Sequence, residues 1–220
     1  MVQNFDISKI KGIVFDMDGV LLDSESICDY AWKIAAKEQQ ITDISMGLEK
    51  CRGTSKKGTV ELLQNLYPAM DVALFMQRTH DLFYEIEAKN GIALMPYAKE
   101  ALEDLSKKYI LALASSTRMQ AVHRQMTNAG IISYFSTLTT GDMVAHAKPD
   151  PEIYISACKS INLGPQECIA VEDSPNGITS AYKAGLYVVM IPDKIPANSE
   201  TDKMTIATLQ SLRLLVDMLM

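Results

Sequence analysis

Residues 12–25 of the chain read Gly12-Ile-Val-Phe-Asp16-Met-Asp18-Gly-Val-Leu-Leu-Asp-Ser-Glu25. The β-branched and aromatic run at 11–15 favours a buried strand, because it is too short to show helical amphipathicity. Asp16 and Asp18 therefore follow the strand at its carboxyl end. Two carboxylates at positions i and i+2 can face the same side where a strand ends, so one could act as a nucleophile and the other as a proton donor.

The segment after this stretch shows helical periodicity without an intervening strand. Helices are predicted over 24–40, 54–66 and 71–88. After Pro96 the pattern alternates, with helices predicted over 97–107, 119–129, 151–160 and 176–184, strands over 110–114, 137–139, 168–171 and 187–191, and a terminal strand and helix in the last twenty residues. Such alternation predicts an α/β fold with a Rossmann-like parallel sheet covered by helices on both faces. We expect a core domain of residues 1–22 and 93–220, with a helical domain of residues 23–92 inserted after the first strand.

The composition is that of an ordinary globular protein. Of 220 residues, 48% are hydrophobic and 22% are charged, and the formal net charge of −6 disfavours a nucleic-acid or anionic membrane surface. The four cysteines have no paired spacing, so neither a disulfide framework nor a zinc site is indicated. Because the sequence shows no apolar leader and no run long enough for a membrane span, a cytoplasmic protein is expected.

Polar clusters follow four of the predicted strands. In chain order they are Asp16 with Asp18, then Ser115, Ser116 and Thr117, then Lys148 in Ala-Lys-Pro-Asp-Pro, and finally Glu172 with Asp173. Each cluster alone has a simpler interpretation, such as a calcium loop for Asp-x-Asp-Gly, a helix cap for the hydroxyls or acids, and a solvated side chain for the lysine. Ligands of open parallel sheets bind beyond the carboxyl ends of the strands. The combination of all four clusters at such ends therefore favours a functional site.

These four motifs resemble those of the haloacid dehalogenase (HAD) superfamily of phosphotransferases, and the similarity covers nearly the whole chain. The resemblance implies that Asp16 is the nucleophile that forms an aspartyl-phosphate and that Asp18 is the general acid and base. It assigns Ser115 to the second-motif hydroxyl and Lys148 to the third-motif lysine, with Ser116 beside them in the phosphate-binding site. The expected substrate is therefore a small phosphorylated molecule.

The resemblance also implies a Mg²⁺ site. Its expected ligands are Asp16, Asp18 through its backbone carbonyl, Asp173, and Glu172 either directly or through a water. Physical chemistry agrees, since a carboxylate that attacks an anionic phosphate needs cations to offset the repulsion. Mg²⁺ and Lys148 would supply that positive charge.

The inserted helical segment resembles the small cap of the β-phosphoglucomutase-like branch, with hinges near 20–23 and 92–96. In that branch the cap closes over the site and helps to choose the substrate. The loop at 51–57 is expected to face the core, where Arg52 or Lys56 would bind a second anionic group of the substrate or form a solvated basic turn.

The acceptor of the phosphoryl group decides between two enzymes, since transfer to water makes a phosphatase and transfer to a second sugar hydroxyl makes a mutase. The mutase pattern has a histidine ten residues after Asp18, where this sequence has Cys28, and a thiol is a weak hydrogen-bond partner. Ser24-Glu25 also favours the phosphatases. We predict a magnesium-dependent phosphatase acting on a small phosphorylated metabolite, with a sugar phosphate as the first expectation, and a β-phosphoglucomutase-type isomerase as the alternative. A phosphate sensor and a dehalogenase fit less well, and a monomer without nucleic-acid or membrane partners is expected.

Overall fold

The computed structural model describes residues 5–54 and 56–220, with Lys56 described by its backbone alone. The chain divides into two compact units. The larger comprises Met1–Asp23 with Ala93–Met220, and the smaller comprises Ser24–Ile92.

The smaller unit is helical. Its helices are α1 (Ser24–Glu38), α2 (Ser45–Cys51), α3 (Lys56–Leu66) and α4 (Val72–Asn90). Helix α4 begins where the Asp71 side chain accepts a hydrogen bond from the Leu74 N–H at 3.0 Å, and it ends at Gly91, whose φ is 70°. In the core of the smaller unit, the rings of Trp32 and Phe75 pack edge to face with their centroids 5.1 Å apart. The three predicted helices correspond to α1, α3 and α4, whereas α2 was not predicted.

The larger unit contains one six-stranded sheet. Its strands are β1 (Gly12–Phe15), β2 (Ile110–Ser115), β3 (Thr137–Thr140), β4 (Cys168–Glu172), β5 (Tyr187–Met190) and β6 (Ala207–Thr208). They pair in parallel in the order β3-β2-β1-β4-β5-β6. Strand β1 is buried along its whole length, as expected for a strand with neighbours on both sides and helices on both faces. The predicted α/β fold is confirmed.

Six helices of the described residues accompany this sheet. They are α5 (Ala98–Leu105), α6 (Met119–Asn128), α7 (Glu152–Ser160), α8 (Pro175–Ala184), α9 (Ser199–Asp202) and α10 (Leu212–Leu219). The predicted helix over 97–107 begins only at Ala98, because Tyr97 adopts a left-handed backbone with φ 63°. Strand β6 and α10 confirm the predicted terminal strand and helix, and α9 was not predicted. None of the helices in the described part of the chain has both the length and the apolar character needed to span a membrane.

The sheet register aligns the ends of the strands that carry the polar clusters. Phe15 is the partner of Leu113 on one side and of Val171 on the other. Asp16 therefore leaves β1 level with the last residues of β2 and β4. This edge of the sheet holds the candidate site.

Candidate active site

The backbone after β1 forms a tight turn that gathers carboxylates. The Asp16 N–H donates to the carbonyl of Val171 at 3.0 Å, which extends the pairing of β1 with β4 by one residue. Gly19 has a φ of 77°, and a β-carbon at this position would collide with the Asp173 carboxylate. A glycine is thus required both by the backbone conformation and by the close approach of Asp173. The turn places the first and fourth motifs in contact.

Lys148 lies at the centre of the site, and 8% of its side chain is exposed. Its ammonium donates to Asp16 Oδ1 at 2.6 Å, to Glu172 Oε1 at 2.6 Å and to the carbonyl of Ala114 at 3.0 Å. Burial alone would lower the pKa of Lys148, but the two carboxylates outweigh it and hold the pKa above its ordinary value. Lys148 is therefore a fixed positive charge that joins the first, second and fourth motifs.

Glu172 is fully buried at the end of β4, and both its oxygens accept hydrogen bonds. Oε1 accepts from Lys148 at 2.6 Å and from the Tyr154 hydroxyl at 2.7 Å. Oε2 accepts from the N–H of Asp173 at 3.2 Å, and from the N–H and hydroxyl of Ser174 at 3.3 and 3.1 Å. The start of α8 packs so closely on this carboxylate that a β-carbon on Gly177 would overlap it. Five donors thus hold Glu172 in one orientation.

The hydroxyl cluster after β2 contacts the second aspartate. Thr117 donates its hydroxyl to Asp18 Oδ2 at 3.1 Å. Ser115 is fully buried and its oxygen accepts from the Thr117 N–H at 3.1 Å, whereas Ser116 is exposed. The backbone of Ser116 passes so close to Gly141 that a β-carbon there would clash with the Ser116 carbonyl. The loop that carries the second motif therefore packs against both the first motif and the segment that follows β3.

The carboxylates of the site fit a cation. Asp16, Glu172 and Asp173 each offer an oxygen, and these atoms lie within 4.8 Å of one another. Burial raises the pKa of Asp16 to about 7, helped by the charges of Glu172 and Asp18 and opposed by Lys148. One lysine does not balance these acids, and a divalent ion beside them would favour the ionised form of Asp16. The all-oxygen donor set is the kind that Mg²⁺ prefers.

The loop that carries Lys148 contains a second, more exposed group of polar side chains, formed by His146, Asp150 and Glu152. The Glu152 carboxylate accepts from the N–H of Ala145 and of His146, both at 2.9 Å, and lies 2.9 Å from His146 Nδ1. Asp150 Oδ1 accepts from the Glu152 N–H at 3.0 Å. These contacts brace the loop on the first turn of α7.

In the smaller unit, the Arg52 guanidinium is engaged by two carboxylates. Its Nη2 lies 2.9 and 2.7 Å from the two oxygens of Asp29, and its Nη1 lies 3.4 Å from Glu25. Only 20% of the Arg52 side chain is exposed, so most of it is shielded from water. The other predicted cation of this segment, Lys56, has its side chain outside the described residues.

Asp16, Asp18, Ser115, Lys148, Glu172 and Asp173 all lie in the larger unit, and the contacts above link them around one edge of the sheet. Sequence reasoning missed Tyr154, whose fully buried hydroxyl joins Lys148 and Glu172. In the sequence Tyr154 has the pattern of an ordinary core aromatic, and the contact arises because α7 turns that side chain back toward the lysine.

A comparison with known families finds that residues 10–185 match the model of the haloacid dehalogenase-like hydrolases. Among curated relatives, a phosphorylated carbohydrates phosphatase of Thermotoga maritima is 30% identical over 183 residues, which cover 80% of this chain and 82% of that protein. A beta-phosphoglucomutase of Bacillus subtilis is 28% identical over 189 residues, covering 82% of each.

Among solved structures, a haloacid dehalogenase-like protein of Agrobacterium tumefaciens shares the fold with a TM-score of 0.83. It is 21% identical, and the match covers 95% of this chain and 97% of that one. The family and the type of enzyme predicted from the four motifs are confirmed. The chain belongs to the haloacid dehalogenase-like hydrolases.

Proposed function

We propose that this hydrolase is a magnesium-dependent phosphatase that removes the phosphoryl group from a small phosphorylated carbohydrate through an aspartyl-phosphate on Asp16. The observation that carries the proposal is the contact of Asp16 with a buried lysine, beside a second aspartate held by a hydroxyl. The relative from Thermotoga maritima, a phosphorylated carbohydrates phosphatase, supports the substrate class.

Asp16 is the proposed nucleophile. Its carboxylate lies at the end of a rigid strand, and Lys148 at 2.6 Å offsets the repulsion between that carboxylate and an incoming phosphate. Attack by an Asp16 oxygen on phosphorus forms the new phosphorus–oxygen bond while the bond to the leaving oxygen breaks. Lys148, Ser115 and the N–H groups of the loop after β2 are proposed to hold the phosphoryl oxygens.

Asp18 is the proposed acid and base. It would donate a proton to the leaving oxygen and then remove a proton from the water that hydrolyses the aspartyl-phosphate. The Thr117 hydroxyl, 3.1 Å from Asp18 Oδ2, orients the carboxyl group for both steps.

Asp16, Asp173 and the backbone carbonyl of Asp18 are the proposed direct ligands of Mg²⁺. When bound, the ion would neutralise charge on the transferring phosphoryl group. Glu172 is assigned to the outer shell, because five donors already engage its oxygens.

Water is the proposed acceptor. A mutase that passes through a bisphosphate needs a cation for the second phosphoryl group, and the candidate Arg52 is already paired with Asp29 and Glu25. Cys28, in place of the mutase histidine, supports the same choice. We further propose that the helical unit Ser24–Ile92 serves as the substrate-selecting cap. A cytoplasmic location and a monomeric state remain predictions from the sequence.

Phosphate release from a panel of phosphorylated carbohydrates tests this proposal, with wild type compared with Asp16→Asn and with Asp104→Asn, a partly exposed aspartate on α5, as the matched control. We expect Asp16→Asn to lower kcat by at least about a thousandfold, because the nucleophile is lost, while Asp104→Asn keeps wild-type activity. EDTA should abolish release, and added Mg²⁺ should restore it. Equal activity of the two variants, or activity in EDTA, would refute the proposal.

A further inference from the structure

Tyr154 has no part in the mechanism above, yet its hydroxyl is buried among the charged groups of the site. The hydroxyl donates to Glu172 Oε1 at 2.7 Å and lies 3.5 Å from the Lys148 nitrogen, which is 5.0 Å from the centre of the tyrosine ring. Burial and the nearby carboxylates raise the pKa of Tyr154 well above its ordinary value, so the hydroxyl keeps its proton and acts as a donor.

The position of Lys148 depends on how Glu172 is held. Each of the three ammonium protons has an acceptor, namely Asp16, Glu172 and the Ala114 carbonyl. Lys148 and Tyr154 share one oxygen of Glu172, whereas Asp173 and Ser174 occupy the other. If the Tyr154 hydroxyl were removed, Lys148 would be the one donor left to Glu172 Oε1 among the described residues. The ammonium would then be drawn toward Glu172 and away from Asp16.

We propose that Tyr154 is a positioning residue, whose hydroxyl fixes Glu172 so that Lys148 stays directed at Asp16 and the phosphoryl group. This inference rests on the proposed function. Tyr154 touches neither the substrate nor the reacting atoms in this proposal, and its influence reaches the phosphoryl group through Glu172 and Lys148.

The variant Tyr154→Phe removes the hydroxyl and keeps the ring, and Tyr109→Phe is the matched control. Tyr109 is also buried in the larger unit, where its hydroxyl donates to the Leu219 carbonyl at 2.9 Å. Urea unfolding of both variants measures the structural cost of losing a buried hydroxyl. Steady-state kinetics with para-nitrophenyl phosphate and Mg²⁺ then measure kcat and KM.

We expect Tyr154→Phe to lower kcat about tenfold with KM changed less than about twofold, because a displaced lysine weakens stabilisation of the transition state more than binding. Tyr109→Phe should leave both constants unchanged. In a Glu172→Gln background, adding Tyr154→Phe should change kcat less than about twofold, because the carboxylate that the Tyr154 hydroxyl holds is already absent. Equal kcat in the two Tyr→Phe variants, or full additivity with Glu172→Gln, would overturn the proposal.

A measurement on the wild-type protein tests the contact without any variant. Proton NMR should show a slowly exchanging Tyr154 hydroxyl proton with a nuclear Overhauser effect to the ε-methylene of Lys148. Rapid exchange of that proton with water would overturn the contact. If the wild-type protein releases no phosphate while the NMR contact is present, the proposed function fails and the hydroxyl contact with Glu172 stands.

Discussion

Thr117 is the residue through which the second motif contacts Asp18, the proposed acid and base. Its hydroxyl is 3.1 Å from Asp18 Oδ2, and its N–H donates to Ser115. A side chain of the same shape without the hydroxyl would remove this hydrogen bond from Asp18. This hydrogen bond thus links the conformation of the loop after β2 to the proton transfers proposed for Asp18.

We predict that Thr117→Val lowers kcat by up to about tenfold, since a hydrogen bond contributes a net of roughly 0.5–1.5 kcal/mol. Thr117→Ser keeps the hydroxyl and should retain most of the activity. Stopped-assay kinetics of the two purified variants provide the comparison. If valine and serine behave alike, the hydroxyl does not position Asp18.

Gly177 shows how packing around Glu172 constrains the start of α8. A β-carbon here would fall on the Glu172 carboxylate. We predict that Gly177→Ala lowers the free energy of unfolding by about 1–3 kcal/mol, as overpacking of a filled interior does, and reduces activity because Glu172 must move. Urea denaturation monitored by circular dichroism measures the first effect.

Gly164 is the matched control for this substitution. Its φ is −76°, and an added β-carbon would meet its nearest neighbour, Glu167, at 3.4 Å. Gly164→Ala should therefore keep wild-type stability and activity. A Gly177→Ala protein that is as stable as Gly164→Ala would show that the carboxylate is not held as described.

Among the elements, helix α5 is preceded by a strained residue. Tyr97 has φ 63° and ψ 11°, and it is 54% exposed, so few contacts offset the strain. We predict that Tyr97→Gly raises the free energy of unfolding by about 0.5–1 kcal/mol, because glycine adopts this backbone without steric cost. Thermal or urea unfolding measures the change.

Replacement of a tyrosine by glycine within a regular helix should instead lower the free energy of unfolding. Tyr182 lies within α8 and is 39% exposed. Tyr182→Gly should destabilise the protein by about 0.5 kcal/mol through loss of helix propensity alone. Destabilisation by both substitutions would contradict the assignment of strain to Tyr97.

The loop before α7 has a predictable pH response. Backbone hydrogen bonds from Ala145 and His146, together with the His146 side chain, lower the pKa of Glu152 below its usual 4.5. A carboxyl group with a lowered pKa stabilises the fold above its ordinary pKa, and this contribution is lost as the pH falls through the lowered value. The bracing of the Lys148 loop should thus persist at neutral pH and fail only in acid.

An NMR titration from neutral pH downward, followed at the amide protons of Ala145 and His146, measures this response. We expect both amides to shift together with a midpoint below 4.5, and Glu152→Gln to abolish the transition. A common midpoint at or above that value would contradict the role of Glu152.

For the whole molecule, the sequence was sufficient for the α/β fold and for the residues that follow the strands. Asp16 and Asp173 were predictable because short buried strands place their next residues at one edge of a parallel sheet, and Lys148 because it lies in the loop between β3 and α7. Helix α2 was not predicted because it has seven residues, includes Gly47, and is preceded by Ile44, whose side chain cannot cap it. Contacts between segments that are distant in the sequence could not be predicted either.

Tyr154 illustrates why such contacts cannot be read from sequence. Its aromatic side chain on α7 has the pattern of an ordinary core residue, and only the tertiary structure brings its hydroxyl to Glu172. The pairing of Arg52 with Asp29 and Glu25 likewise depends on how α1 and α2 pack within the smaller unit. Spacing along the chain identifies the candidate polar side chains. The packing of the fold decides which of them already have hydrogen-bond or ion-pair partners.

The partition of the phosphoryl group between water and sugar distinguishes the proposed phosphatase from a mutase. The enzyme is incubated with Mg²⁺, β-glucose-1-phosphate and its 1,6-bisphosphate, and phosphate and glucose-6-phosphate are measured together, beside a panel of other sugar phosphates. We predict phosphate release from one or a few monophosphates, with little glucose-6-phosphate. Rapid formation of glucose-6-phosphate with little free phosphate would contradict the account and make the protein a mutase.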